Sequence, residues 1–271
     1  MWKTDCGRFL GSIGVPAVGF GTCSVVVRGE EGGIPVACKF GETERLAHEY
    51  RILHSLGADY NRKRYIVPAP TWASCTSMDV PYSYGFTRCR LESVLTFPFY
   101  DHGDLFSVVD AAPLSESATK WCVSQLLFAV QTLHGHNVAH GDIKLENLLV
   151  RDVWSQHDEV FYDILLADFD CAVSLTRQDV RCFGSGEYAA PELRMVESGT
   201  GSVLDVDSKC TDVWAIGIVV GVCLLQRAPS STSMGPLSKL ATSFIEAACA
   251  FGQSPDHRWT VDMLLAHPWL E

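Results

Sequence analysis

Val213 to Leu225 form an uncharged, almost wholly apolar run of 13 residues, and no other stretch constrains the fold as much. The run is well short of the roughly 20 residues needed to cross a bilayer, so it reads as a helix buried in a protein core. Helical patterns dominate from Thr211 onward. A second long pattern runs from Ser115 to His134, with Ser115 placed as N-cap and Glu116 in the first turn. This part of the chain must therefore be a helical unit built around one apolar helix.

The first hundred residues have a different character. Ser24 to Val27 and Ile34 to Phe40 are β-rich segments joined by the turn Glu30-Glu31-Gly32-Gly33, which predicts a hairpin. Leu46, Tyr50, Leu53 and Leu56 fall at helical spacing, predicting a helix over Glu44 to Leu56. The expected layout is α+β: a small β-rich lobe over residues 1–98, a hinge over 98–103 and a larger helical lobe over 104–271. At 271 residues the chain is near the size at which one core stops growing, so two lobes within a single domain are ordinary.

Composition narrows the function. A net charge of −11 argues against a nucleic-acid face, which needs clustered Lys and Arg. None of the 11 cysteines is spaced Cys-x-x-Cys, and most lie in apolar runs, so reduced, buried thiols are expected rather than a disulfide framework or a zinc site. With no apolar N-terminal leader, the expectation is an intracellular protein of cytoplasm or nucleus, without membrane association.

The chemistry-bearing residues cluster in the second half. His140-Gly141-Asp142 is followed five residues later by Asn147, and Asp168-Phe169-Asp170 comes after the apolar strand Ile164 to Ala167. Two carboxylates and an amide in such loops can converge on one hydroxyl and one or two divalent cations. Phosphoryl transfer asks for that arrangement, because its catalysis is mostly positioning and charge neutralisation. A solvated turn with an Asx cap would explain Asp142 and Asn147 taken alone.

An ordered set of further motifs surrounds this loop. It comprises Gly19-Phe20-Gly21-Thr22-Cys23-Ser24, Ala37-Cys38-Lys39, Phe97-Pro98-Phe99-Tyr100, Ala190-Pro191-Glu192, Asp212-Val213-Trp214 and His257-Arg258-Trp259. In this order they resemble the eukaryotic protein kinase family from the glycine loop to the final helix at Trp269, and Lys144 resembles the signature of its Ser/Thr branch. The resemblance implies a bilobal kinase fold, ATP and Mg²⁺ (with Mn²⁺ as an alternative), and protein substrates of basic preference. It also implies roles. Gly19, Gly21, Val26 and Ala37 would line the nucleotide, and Lys39 would contact its phosphates. Glu49 would pair with Lys39, Glu44 being the fallback. Phe97 and Phe99 would flank adenine. Asp142 would be the base, Lys144 would neutralise the migrating phosphoryl group, and Asn147 and Asp168 would hold the metal. Arg258 would pair with Glu192.

The chain also departs from the family pattern. Ser24 stands for the third loop glycine, Gly141 for the arginine that reads an activation-segment phosphate, and Asp170 for the glycine of Asp-Phe-Gly. Extra residues lengthen the hairpin around Trp154 to Tyr162 and the loop from Glu197 to Asp207. These departures leave two alternatives, a pseudokinase binding module and a small-molecule phosphotransferase of the aminoglycoside or choline kinase type. Lys144 and the Ala-Pro-Glu segment weigh against the latter. The departures and the economy of the chain resemble kinases of large DNA viruses such as herpesviruses, acting as monomers in the host cell.

Overall fold

The computed structural model describes residues 17–20, 24–57, 64–79, 90–175, 184–203, 206–230 and 233–271. The chain divides into two compact units, Met1–Ala58 with Val67–Phe99, and Asp59–Ile66 with Tyr100–Glu271. Tyr65 and Ile66 group with the second unit because Leu166 N donates to Tyr65 O and Ile66 bridges Leu166.

The first unit is an antiparallel five-stranded sheet and one helix. Its strands are β1 (Ala17–Phe20), β2 (Ser24–Glu31), β3 (Ile34–Gly41), β4 (Thr71–Asp79) and β5 (Arg90–Pro98), in the order β1-β2-β3-β5-β4. The predicted β2–β3 hairpin closes on Gly32 and Gly33, both at positive φ, a two-residue turn whose twist matches that of the strands. Strand alternation buries Val25, Val27, Val36, Cys38, Phe40 and Val94 as the core of this sheet. Helix α1 (Thr43–Ser55) begins and ends one residue earlier than its periodicity predicts and buries Leu46, Glu49, Ile52 and Leu53.

The second unit is mainly helical. It contains α2 (Leu105–Ala111), α3 (Glu116–Gly135), β6 (Val138–Ala139), β7 (Leu148–Gln156), β8 (Glu159–Leu166), β9 (Val173–Ser174), α4 (Pro191–Glu197), α5 (Ser208–Leu225), α6 (Lys239–Cys249) and α7 (Val261–Leu265). Ser115 caps α3 as expected, its hydroxyl accepting from Ala118 N at 3.1 Å. The apolar run occupies α5 and is buried on nearly every side. Neighbours come so close that a Cβ at Gly217 would meet the Cys249 sulfur, and one at Gly221 the Pro229 ring. Among the described residues α5 alone has the length and composition of a membrane span, yet 72% of it is buried within the protein.

The cysteines correct one expectation. Cys38, Cys122, Cys223 and Cys249 are free and buried, and burial pushes the Cys122 thiol up to about 12. Cys171, however, is disulfide-bonded. It follows Asp170 at a turn and is half-buried, whereas those four thiols are buried.

Candidate active site

The loop between β6 and β7 is held from below by Asp212, near the start of α5. Asp212 is almost fully buried; its Oδ2 accepts from His140 N at 2.9 Å and its Oδ1 from Gly141 N at 2.9 Å. His134, at the end of α3, completes this grip at 2.9 Å from Asp212 Oδ2. The His140 tautomer follows from its partners. Ala167 O can only accept, so Nε2 donates to it at 3.0 Å, while Nδ1 accepts from Asp142 N at 3.3 Å. The imidazole edge packs on Phe169, which is fully buried, with ring centroids 4.9 Å apart.

Gly141 has φ +77, and a Cβ built on it would lie 2.7 Å from Cys171 O. A left-handed conformation costs an ordinary L-residue roughly 1–2 kcal/mol even where there is space. Glycine thus sits here without strain, whereas any residue with a side chain would be strained and would force the Cys171 carbonyl to shift.

Above this base, four side chains converge. Lys144 Nζ donates to Asp142 Oδ2 at 2.7 Å and to Ser185 Oγ at 2.8 Å. Ser185 Oγ in turn donates to Asp142 Oδ1 at 2.7 Å. Asn147 Nδ2 donates to Asp142 O at 2.8 Å and reaches Asp142 Oδ2 at 3.3 Å. With its amide nitrogen spent on Asp142, Asn147 presents its carbonyl oxygen on the other side. Asp168 follows β8 at φ +63. An amide oxygen and a carboxylate are hard donors of the kind Mg²⁺ takes, so Asn147 and Asp168 fit a divalent cation.

The first unit holds the remaining expected residues. Lys39 Nζ lies 2.6 Å from Glu49 Oε2, with both side chains buried, whereas Glu44 is exposed; Glu49 is the partner. Val26 is in register with both Gly19 and Lys39, and Ala37 with Phe97. The Phe99 ring lies under the Arg28 guanidinium at 4.8 Å. Gly21 is outside the described residues.

Back in the second unit, Arg258 meets Glu192 through two parallel bonds, Nη1 to Oε1 at 2.6 Å and Nη2 to Oε2 at 2.8 Å. Burial, then the Glu146 carboxylate, hold the Tyr188 phenol well above its usual range, which keeps it neutral beside the loop. Sequence reasoning missed Ser185, Asp212 and His134 as site residues. A hydroxyl flanked by Gly184 and Gly186 was the available signal for Ser185. The buried carboxylate of Asp212 at the head of an apolar helix was the signal for the grip.

Comparison with known proteins agrees with this geometry. A family model described as Protein kinase domain matches residues 15–270. The DNA damage response protein kinase DUN1 of Saccharomyces cerevisiae is 28% identical over 218 residues, covering 68% of this chain and 40% of that protein. Serine/threonine-protein kinase D3 of Mus musculus is 27% identical over 191 residues, covering 63% of this chain and 20% of its own length. The chain thus spans less than half the length of these relatives. The crystal structure of Rad53 kinase domain and SCD2 aligns with 97% of this chain and 88% of that one, at a TM-score of 0.67 and 22% identity, showing the shared fold. The bilobal α+β architecture, the loop gripped by α5 and a family match across nearly the whole sequence lead to one conclusion: this chain belongs to the protein kinase family.

Proposed function

We propose that the chain is an ATP-dependent Ser/Thr protein kinase in which Asp142 receives the proton of the substrate hydroxyl. The observation that carries this reading is the Asp142 carboxylate fixed by Lys144, Ser185 and Asn147. The substrate oxygen forms a bond to the γ-phosphorus as the bond from that phosphorus to the β,γ-bridging oxygen breaks. The hydroxyl proton passes to Asp142, and ADP departs with the electron pair. Lys144, held against Asp142, offers its ammonium to the phosphoryl oxygens in transit. Lys39, kept in place by Glu49, would contact the α- and β-phosphates. Asn147 and Asp168 would hold Mg²⁺, which when bound neutralises phosphate charge.

The direct test is incubation with γ-labelled ATP, Mg²⁺ and a basic protein, with Asp142→Asn as control. A chain that incorporates no label into any protein would be a binding module instead. The exposed carboxylate of Glu146, close to Tyr188, supports a preference for basic protein substrates.

Ser185 gives a sharper test. Its hydroxyl bridges two charged groups, and hydrogen bonds to charged groups are worth about 1.5–3 kcal/mol. Ser185→Ala should therefore lower kcat by about 10- to 100-fold. Ser185→Thr keeps the hydroxyl and should stay within a few-fold of wild type. Steady-state rates showing Thr as damaging as Ala would reject the bridging role.

Gly141 supports activity that does not depend on activation-segment phosphorylation, since the position holds no cation to read such a phosphate. Phosphatase-treated protein should retain its full rate. Loss of activity traced to a phosphosite within residues 170–187 would overturn this.

A further inference from the structure

The β7–β8 hairpin is longer than its task of carrying the residues before Asp168 requires. Its base is tied down where Val150 N donates to Gly103 O and Leu166 N to Tyr65 O. Beyond that base the strands continue in register, Asp152 opposite Asp163 and Gln156 opposite Glu159, to a tight His157-Asp158 turn with both residues at positive φ.

A paired ribbon sorts its side chains onto two faces. One face carries the cross-strand pairs Asp152–Asp163, Trp154–Phe161 and Gln156–Glu159. Trp154 and Phe161 stack with centroids 4.5 Å apart, and Trp121 from α3 stands edge-on to Trp154 at 5.5 Å. Trp121 is pinned by Nε1, which donates to Asp163 at 3.1 Å. Two turns further along the same side of α3, Phe128 stacks with Tyr65 at 6.2 Å. Trp121 is 37% and Phe128 47% exposed, large values for side chains of this size.

Charge decides what such a face fits. Residues 152–163 include Asp152, Asp158, Glu159 and Asp163 and contain no Lys or Arg. Arg151 neutralises Asp163 at 3.1 Å, while Asp152 and Asp158 are exposed and Glu159 is half-exposed. Aromatic faces beside carboxylates are a receptor for guanidinium and ammonium groups. The molecule already stacks guanidinium on aromatic rings elsewhere, Arg64 lying 5.4 Å over the Tyr65 ring and Arg258, paired with Glu192, 5.0 Å over that of Trp214.

Near its base, strand addition to the ribbon is obstructed at both edges. Gln125 occupies the outer edge of β8, bonding Tyr162 O at 3.0 Å and Ile164 N at 2.9 Å. On β7, Asp152 Oδ1 takes the Val153 N–H at 2.9 Å. Beside Trp154 and Phe161 the side chains, not the backbone edge, are what this base offers a partner. We propose that the face formed by Trp121, Trp154, Phe161, Asp152 and Glu159 docks an arginine-bearing segment of a protein partner, away from the Asp142 loop.

The test is binding of fluorescein-labelled nona-arginine to the full chain by anisotropy, without ATP, against nona-citrulline of equal length and no charge. Because no turnover is read, failure here and failure of the kinase reading are separable. Nona-arginine should bind at least about tenfold more tightly than nona-citrulline. Trp154→Ala should weaken it by about fivefold to thirtyfold, and Asp152→Asn with Glu159→Gln by a similar factor. If Trp154→Ala fails to fold, the carboxylate pair, at solvent-reaching positions, decides the matter. Equal affinity for wild type and the carboxylate variant would place the peptide elsewhere on the acidic surface and overturn the proposal. So would equal binding of the citrulline peptide. A wild-type dimer in sedimentation that Trp154→Ala dissolves would assign the face to self-association instead, and would equally overturn it.

Discussion

Replacing Asp142 by asparagine is expected to lower kcat for phosphotransfer by about 10²- to 10⁴-fold, the range over which a positioned general base contributes. The substitution is nearly isosteric, and the backbone contacts that seat the loop are unaffected: His140 N and Gly141 N still donate to Asp212, and Asn147 Nδ2 still donates to residue 142 O. What is lost is the charge that faces Lys144 at 2.7 Å and that, on the function proposed above, would accept the substrate proton. KM for ATP should change by no more than a few-fold, because phosphate contacts are expected from Lys39 rather than from residue 142. Initial rates with γ-labelled ATP and a basic protein measure both quantities. A variant retaining more than about a tenth of the wild-type rate would show that residue 142 does not act as the base.

Glu192→Ala should unfold the protein at a markedly lower temperature. The Arg258 side chain is 2% exposed, and beyond Glu192 it donates to Cys210 O and lies over the Trp214 ring at 5.0 Å. Removing the carboxylate leaves a guanidinium buried without its counter-charge, a change that costs about 3–5 kcal/mol. At roughly 2–4 °C per kcal/mol for a chain of this size, the melting temperature should fall by on the order of 10 °C. The double substitution Glu192→Leu with Arg258→Met removes both charges and should recover much of that loss, since an apolar pair of similar volume is often neutral. Calorimetry on the single and double variants checks both statements. A double variant no more stable than Glu192→Ala would show that the guanidinium's other contacts, rather than its unpaired charge, set the cost.

Much of the fold was legible because its signals are local. The Ser115 cap, the Gly32-Gly33 turn and the spacing of Leu46, Leu53 and Leu56 each concern residues within a turn or two of one another; both helices formed within a residue of expectation, while β2 runs on through Glu30 and Glu31, which were expected in the turn. The uncharged run of α5 announced its own burial. The Cys171 disulfide was not legible, since no Cys-x-x-Cys or similar spacing marks it and pairing depends on how distant segments are docked.

The site divides along the same line. Asp142, Lys144 and Asn147 sit within five residues of one another, and their order with Asp168, Lys39 and Ala-Pro-Glu identified the family directly from the chain. Which groups hold them was a matter of packing. Ser185 reaches Asp142 across 43 positions, and Asp212 reaches Gly141 across 71. Glu49, rather than Glu44, meets Lys39 because the phase of α1 turns one carboxylate toward the sheet and the other toward solvent. The order and periodicity of residues specify which elements form and which chemistry is on offer. A hydrogen bond of under 3 Å between distant residues requires the elements to be docked, and their docking follows from side-chain volume and burial across the whole core, which no local pattern encodes.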